Sequence, residues 1–243
     1  MILEGQLKIS SADGESFGSY VATPDSKPPF PAIVLIQEIF GINENMRWTA
    51  KRLAEAGFFV VVPDLFWRVA PGIELDPADA VDRARAMEIN GSFNSQSGIS
   101  DCLQVVDHVR RLAACNGRLG AVGYCLGGRL AFILASRGSI DAGVCFYPVA
   151  VQPELKTLPV SKVPLLVHLG SDDVLCKSQA QLEIKAFVEA EVGNRVIVYN
   201  GVGHGFARLG RSGEAATAAE SAESTTTEFL SRHLSRIVMR TGG

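Results

Sequence analysis

The fold is decided by one stretch of the sequence, Gly120-Ala121-Val122-Gly123-Tyr124-Cys125-Leu126-Gly127-Gly128-Arg129. It joins a short apolar segment to an apolar segment of helical character. Its centre has the form G-x-C-x-G, which is the nucleophile-elbow pattern G-x-S-x-G with cysteine in place of serine. The nucleophile of such an elbow sits on a sharp strand-to-helix turn. The residues two before and two after it must be small, because strand and helix approach closely there. We therefore predict an elbow with Cys125 at its tip; the alternative is a buried apolar cysteine in a glycine-rich turn.

The segments around this elbow alternate between two patterns. Short apolar runs are typical of strands that are buried on both faces of a parallel sheet, and they lie at residues 32–36, 58–62, 119–122, 142–146, 165–169 and 196–199. Segments with helical spacing lie between or after them, at residues 45–56, 99–112, 126–136, 179–190 and 214–238. Residues 2–21 predict a β-hairpin with its turn at 11–14. We expect a single α/β domain over residues 1–243, with a mostly parallel sheet and helices on both faces.

Composition excludes several classes of protein. The 243 residues carry 23 Lys+Arg and 26 Asp+Glu, a net charge of −3, whereas a nucleic-acid-binding protein is usually basic. No apolar run approaches the ~18 residues of a membrane-spanning helix, and no signal peptide is recognisable. The five cysteines are odd in number and show no C-x-x-C spacing, which argues against a disulfide framework and a cysteine zinc site. We expect a cytoplasmic protein with no metal, cofactor, nucleic-acid or membrane partner.

An acid and a base follow Cys125 in the order nucleophile, acid, base that α/β-hydrolases use. Asp172 and Asp173 come directly after the apolar run 165–169, and His204 lies in the loop after the run 196–199. Because parallel strands end at one edge of a sheet, these side chains should lie close to Cys125. Spacing alone leaves the choice between Asp172 and Asp173 open. A cysteine beside a histidine can exist as a thiolate–imidazolium pair, and the dipole of the following helix favours the thiolate.

A further unusual residue is Glu38, in the segment Gln-Glu-Ile-Phe-Gly at 37–41. This loop follows the first long apolar run, where the fold takes its second oxyanion-hole N–H. A carboxylate beside an oxyanion hole would oppose the chemistry. Glu38 is therefore either exposed to solvent or interacts with the thiol itself.

Four segments together resemble the dienelactone hydrolase family: 36–43, 63–65, 123–128 and 203–208. The resemblance extends from about residue 33 to residue 229, in the expected order. It implies an α/β-hydrolase fold over the single domain of residues 1–243. It also implies a triad of Cys125, Asp173 and His204, and so selects Asp173 over its neighbour. It also implies that the backbone N–H groups of Leu126 and Ile39 form the oxyanion hole.

The resemblance further implies how the site binds substrate. The elbow cysteine rests turned away, near Glu38, and substrate binding rearranges this glutamate and brings the thiolate towards the histidine. Two arginines hold a substrate carboxylate, which suits the bidentate geometry of guanidinium. They match Arg208 and Arg83, with Arg85 as the alternative to Arg83.

The sequence departs from the family in the helix after Pro77. Met87 and Asn90 stand where better-known members carry bulky aromatic side chains. We expect a monomeric cytoplasmic enzyme that hydrolyses a small carboxylate-bearing lactone, such as dienelactone, through a thioester in aromatic compound degradation. The alternatives are a broader carboxylesterase acting on neutral esters and a non-catalytic protein with a reactive thiol.

Overall fold

A computed structural model describes residues 1–235. Eight strands form one sheet in the order β1-β2-β4-β3-β5-β6-β7-β8. Their bounds are β1 Ile2–Ser10, β2 Ser16–Pro24, β3 Phe30–Ile36, β4 Phe59–Pro63, β5 Cys115–Tyr124, β6 Ala142–Phe146, β7 Leu165–Gly170 and β8 Arg195–Tyr199. The strand pairs β4–β3, β3–β5, β5–β6, β6–β7 and β7–β8 are parallel. The pairs β1–β2 and β2–β4 are antiparallel. The predicted parallel sheet and N-terminal hairpin are confirmed.

Helices cover both faces of this sheet, as predicted. Their bounds are α1 Glu44–Glu55, α2 Ala80–Gly91, α3 Ser95–Arg111, α4 Leu126–Ser136, α5 Ser178–Val188 and α6 Gly213–Leu234. The predicted C-terminal helix extended to residue 238, and its last residues lie outside the described part of the chain. None of the helices in residues 1–235 is long and apolar enough to cross a membrane.

The sheet divides the core into two layers. Neighbouring residues of one strand belong to different layers. In β3, Val34 and Ile36 belong to the layer under α3 and α4, while Ile33 and Leu35 belong to the layer under α1 and α6. Successive side chains of a strand point to opposite faces. A continuous apolar run is therefore the pattern of a strand buried on both faces, which explains why these strands show no polar alternation.

The carboxyl ends of the parallel strands lie at one edge of the sheet. There β3 leads into the loop with Glu38, β5 into the turn at Cys125, β7 into the loop with Asp173, and β8 into the loop with His204. Open α/β sheets bind their ligands at this edge. The strand topology thus brings together four segments that are up to 166 residues apart in the sequence (204 − 38 = 166).

Candidate active site

Cys125 lies at the tip of a strained turn between β5 and α4. Its backbone angles are φ 55° and ψ −111°, in a region that residues with a side chain rarely adopt. The Cys125 N–H donates to the Phe146 carbonyl at 3.0 Å, and the Gly127 N–H donates to the Gln37 carbonyl at 3.1 Å. These bonds tie the elbow to the ends of β6 and β3, and so offset the strain.

The two glycines of the elbow are required by the close approach that the motif predicts. A Cβ atom on Gly123 would lie 2.0 Å from the Gly127 carbonyl oxygen, and one on Gly127 would lie 2.2 Å from the Ile36 carbonyl oxygen. Both clashes involve backbone, which cannot move aside as a flexible side chain can. The sequence interpretation of these positions as obligatorily small is confirmed.

The imidazole of His204 is held by Asp173. His204 Nδ1 lies 2.8 Å from Asp173 Oδ2, and the other oxygen of Asp173 accepts the Leu175 N–H at 2.8 Å. Asp173 is buried, whereas Asp172 is exposed and accepts the Ser171 hydroxyl instead. A carboxylate on Nδ1 fixes the tautomer in which Nε2 carries the lone pair and can take up a proton.

Glu38 forms a buried, two-pronged ion pair with Arg208. Arg208 Nε lies 2.9 Å from Glu38 Oε2, and Arg208 Nη2 lies 3.0 Å from Oε1. The Glu38 residue is 2 % exposed and the Arg208 side chain 15 %. Burial disfavours the charge of Arg208, but the neighbouring Glu38 outweighs this and raises the pKa of the guanidinium. The side chain also lies over the ring of Phe40, with its Cζ 5.1 Å from the ring centroid.

Glu38, Cys125 and His204 converge on one point. The Cys125 sulfur, a His204 ring nitrogen and a Glu38 carboxylate oxygen lie within 4.8 Å of one another. Even so, His204 Nε2 has no hydrogen-bond partner in residues 1–235. Thiol, imidazole and carboxylate are also zinc-binding groups, and this cluster could hold a metal ion. Both Glu38 oxygens are already engaged by Arg208.

The state of the thiol differs from the expectation based on the helix dipole. Burial, and next the negative charge of Glu38, raises the pKa of Cys125 above its ordinary range, although the Leu126 N–H acts in the opposite direction. Burial and the charge of Glu38 therefore favour the protonated thiol of Cys125 over a thiolate–imidazolium pair. The motif contains the helix N-terminus but no information on burial, so it does not indicate how burial acts on the pKa of this thiol.

Leu126 and Ile39, predicted to provide the oxyanion-hole N–H groups, lie side by side. Leu126 is the first residue of α4, and Ile39 follows Glu38 in the loop after β3. Both side chains pack in one apolar cluster with Phe66 and Ile89. The hydrogen bond from Gly127 to Gln37 fixes the distance between the two backbone segments.

The predicted second arginine lies apart from this cluster. Arg83 is exposed on α2, and its Nη1 donates to the carbonyls of Pro77 at 3.1 Å and Ala78 at 2.8 Å. Pro77 and Ala78 line a hollow of about 200 Å³ together with Arg208. Arg83 is thus hydrogen-bonded to two residues that line this hollow.

The neighbouring positions on α2 also face outward. Arg85 pairs with Glu88 on the surface at 2.7 Å. Met87 is 64 % exposed and Asn90 is half-buried. The departure of Met87 from the aromatic pattern therefore lies largely on the solvent side of the helix.

Sequence reasoning missed Tyr147, a buried residue directly after β6. Its ring packs edge-on against His204, with centroids 4.9 Å apart and the planes at 64°. No motif surrounds it in the sequence. The one available signal was its position at the carboxyl end of a parallel strand, next to the strand that leads into Cys125.

The sheet, the elbow and the Asp173–His204 pair define an α/β-hydrolase. The chain belongs to the dienelactone hydrolase family, because residues 17–234 match the sequence model of that family. It is accordingly a hydrolase of ester or lactone bonds. The family and fold expected from the sequence are confirmed.

Named relatives cover almost the whole chain. It is 39 % identical over 230 residues to a carboxymethylenebutenolidase of Pseudomonas putida, covering 95 % of this chain and 97 % of the relative. It is 35 % identical over 210 residues to carboxymethylenebutenolidase 1 of Cupriavidus pinatubonensis, covering 85 % and 88 %. A crystal structure of a dienelactone hydrolase from Anabaena variabilis superposes with a TM-score of 0.71 at 15 % identity, covering 96 % and 99 %, and it supports the fold alone.

Proposed function

We propose that this protein hydrolyses a small lactone that carries a carboxylate, such as dienelactone, with Cys125 as nucleophile and Asp173 and His204 as its acid–base pair. The observation that carries the proposal is the buried Arg208, whose guanidinium binds one carboxylate, that of Glu38, beside the Cys125 thiol. A substrate carboxylate has the same chemistry as Glu38 and can replace it. The relatives named carboxymethylenebutenolidase support this substrate class.

The exchange of carboxylates would activate the nucleophile. A hollow of about 490 Å³, lined in part by Asn43, Leu75 and Arg208, gives a small anion access to the guanidinium. Once the substrate carboxylate pairs with Arg208, Glu38 loses two charge-assisted hydrogen bonds and becomes a stronger base. It takes the proton from the Cys125 sulfur, within 4.8 Å, and leaves a thiolate.

The thiolate then attacks the lactone carbonyl carbon. The tetrahedral oxyanion accepts the N–H groups of Leu126 and Ile39, each worth about 3–4 kcal/mol in comparable hydrolases. Collapse of this intermediate breaks the ring C–O bond, and the enolate oxygen leaves. The product of this half-reaction is a thioester on Cys125.

Hydrolysis of the thioester requires a general base. His204 Nε2 is unpaired in the described part of the chain, and Asp173 on Nδ1 stabilises the imidazolium that forms. Nε2 takes a proton from water, the hydroxide adds to the thioester carbonyl, and the C–S bond breaks. The imidazolium proton returns to sulfur, and Glu38 gives the proton that it took from the thiol to the enolate of the product. The ionised Glu38 then pairs again with Arg208 as the product leaves.

A second candidate is a carboxylesterase for neutral esters, and the position of Arg83 favours it. This side chain bonds to carbonyls of its own segment, whereas both hydrogen bonds to Glu38 come from Arg208. The nearby hollow also carries three acidic residues, Glu44, Glu74 and Asp76, of which Glu74 is paired with Arg47 at 2.8 Å.

A paired assay separates the two candidates. We expect wild-type protein to hydrolyse dienelactone with a kcat/KM at least ~10-fold above that for p-nitrophenyl acetate, and Arg208→Lys to lose most of this preference because it cannot bind a carboxylate in two places. Arg85→Lys, on the outer surface, is the matched control. Equal effects of Arg208→Lys on both substrates would support the carboxylesterase.

The remaining parts of the proposal concern the cell. All five cysteines are free thiols and are buried. Free thiols persist in reducing compartments, which supports a cytoplasmic enzyme. A carboxylate-bearing unsaturated lactone arises when an aromatic ring has been opened, which supports a role in aromatic compound degradation. Cell fractionation followed by an antibody to this chain tests the first point.

A further inference from the structure

Tyr147 borders the candidate active site, and the scheme above gives it no role. It follows β6 directly, and its φ of 35° is in the left-handed region, which is uncommon for a residue with a bulky side chain. Such strain persists where the surrounding structure enforces it, and it is concentrated at functional sites. Here the Tyr147 N–H donates to the His168 carbonyl at 2.7 Å. The preceding carbonyl, of Phe146, accepts the Cys125 N–H, so this strained turn is tied to the nucleophile.

The ring of Tyr147 is fixed between two residues of the loop after β8. Its centroid lies 4.9 Å from that of His204 and 5.5 Å from that of Phe206, both in edge-on geometry. The residue has no exposed surface. The hydroxyl therefore cannot turn out to water, and it stays among the groups around Cys125.

The hydroxyl of Tyr147 has no hydrogen-bond partner among the 235 described residues. Buried hydroxyl groups without a partner are uncommon in native proteins, and those that persist call for an explanation such as catalysis. Burial raises the pKa of this hydroxyl, the negative charge of Glu38 raises it further, and the positive charge of Arg208 acts in the opposite direction. A donor without a partner thus lies beside His204 and within electrostatic reach of the ion pair that the substrate is proposed to open.

We propose that Tyr147 is a positioning residue that donates its hydroxyl hydrogen bond to Glu38 after the substrate carboxylate has taken Arg208. The inference rests on the proposed function and assigns a new role within it. Glu38, at 2 % exposure, cannot replace its lost N–H donors with water. The Tyr147 O–H replaces one of them and holds the carboxylate next to the Cys125 sulfur while it accepts the thiol proton. One S–H bond breaks and one O–H bond forms on Glu38, and Tyr147 keeps its own proton.

The test is Tyr147→Phe, which removes the hydroxyl and keeps the ring. We expect kcat for dienelactone to fall about 10- to 100-fold, the effect of one hydrogen bond to a charged group. KM should stay within about twofold, because Arg208 still binds the substrate carboxylate. The acid limb of the pH dependence of kcat should move to higher pH, because Glu38 without this donor retains its proton to higher pH.

A double-mutant cycle with Glu38→Gln separates this role from a structural one. If Tyr147 acts through Glu38, Tyr147→Phe changes kcat by less than about twofold in the Glu38→Gln background, since the carboxylate it serves is gone. The same 10- to 100-fold loss in both backgrounds would show that the hydroxyl acts on the structure in general and would overturn the proposal.

The matched control is Tyr199→Phe. Tyr199 lies in the same aromatic cluster, with its ring 5.1 Å from Phe206, but its hydroxyl is 3.0 Å from His168 Nδ1 and already has a partner. Its removal should lower the melting temperature and leave kcat and the acid limb unchanged. A wild-type protein that does not hydrolyse dienelactone would overturn the proposed function and this role with it. An active wild type whose Tyr147→Phe variant keeps kcat and the acid limb would overturn the Tyr147 role alone.

Discussion

Replacing Arg208 by methionine should destabilise the protein, because Glu38 is left buried without its partner. Methionine keeps most of the side-chain volume and removes the two bonds of 2.9 and 3.0 Å to Glu38. Glu38 then becomes a buried carboxylate without a cation. Breaking a buried pair in this way costs about 3–5 kcal/mol, a large part of the ~5–15 kcal/mol by which a typical domain is stable. Urea denaturation at pH 7, followed by circular dichroism, measures the loss in the free energy of unfolding.

The loss should depend on pH in a direction that the geometry fixes. In the variant, a proton on Glu38 removes the unpaired charge, so the folded state binds this proton more tightly than the unfolded chain does. Stability that depends on such a group is present at low pH and is lost as the pH rises. The difference between wild type and Arg208→Met should therefore be small near pH 4 and largest at pH 7 and above.

The double variant Glu38→Gln/Arg208→Met is the control. It removes both charges and keeps the two shapes, and replacing a whole buried pair is often neutral or even stabilising. We expect it to regain most of the stability at pH 7. The reasoning is refuted if Arg208→Met loses less than about 1 kcal/mol at pH 7, or if the double variant is no more stable than the single one.

Three further variants test other parts of the structure. Asp173→Asn should lower kcat for dienelactone by about 10³- to 10⁴-fold with the fold intact, because an amide favours the wrong imidazole tautomer; a loss below tenfold would exclude Asp173 as the orienting acid. Gly127→Ala, whose new Cβ would lie 2.2 Å from a carbonyl oxygen, should lose more than about 2 kcal/mol in urea denaturation, whereas Gly91→Ala, with nothing within 4 Å, should lose less than about 1 kcal/mol. Burial lowers the pKa of His168 to about 3, so the unfolded chain binds more protons than the folded protein between about pH 6.5 and pH 3. The free energy of unfolding therefore decreases as the pH is lowered through this range. His168→Gln should flatten this slope, and an unchanged slope would assign it to other groups.

Much of the fold could be predicted because its signals are local. A strand buried on both faces needs an uninterrupted apolar run, and β3 and β7 each show one at the predicted position. The elbow was recognisable because its constraint is steric and acts over five residues, from Gly123 to Gly127. The choice of Asp173 over Asp172 came from the family resemblance, since spacing alone does not distinguish adjacent carboxylates.

The features that could not be predicted depend on distant residues. The pairing of Glu38 with Arg208 joins positions 170 residues apart, and neither local sequence indicates the other as a partner. The pKa of Cys125 is raised first by burial, which no motif encodes. The Arg83 side chain is directed by its hydrogen bonds to the carbonyls of Pro77 and Ala78. An alignment to the family by residue spacing gives no information on such bonds.

The ion pair and the protonated thiol together explain why cysteine suits this elbow better than serine. A thiol is a much stronger acid than a serine hydroxyl, so the proposed proton transfer to Glu38 is easier from cysteine than from serine, which needs a stronger adjacent base. Burial and the nearby charge of Glu38 favour the protonated thiol at rest, and a protonated thiol is a poor target for oxidants. Binding of the substrate carboxylate would open the pair and form the thiolate in the same step. Under this scheme, reactivity of Cys125 towards a neutral alkylating reagent such as iodoacetamide should be low in wild type and higher in Arg208→Met.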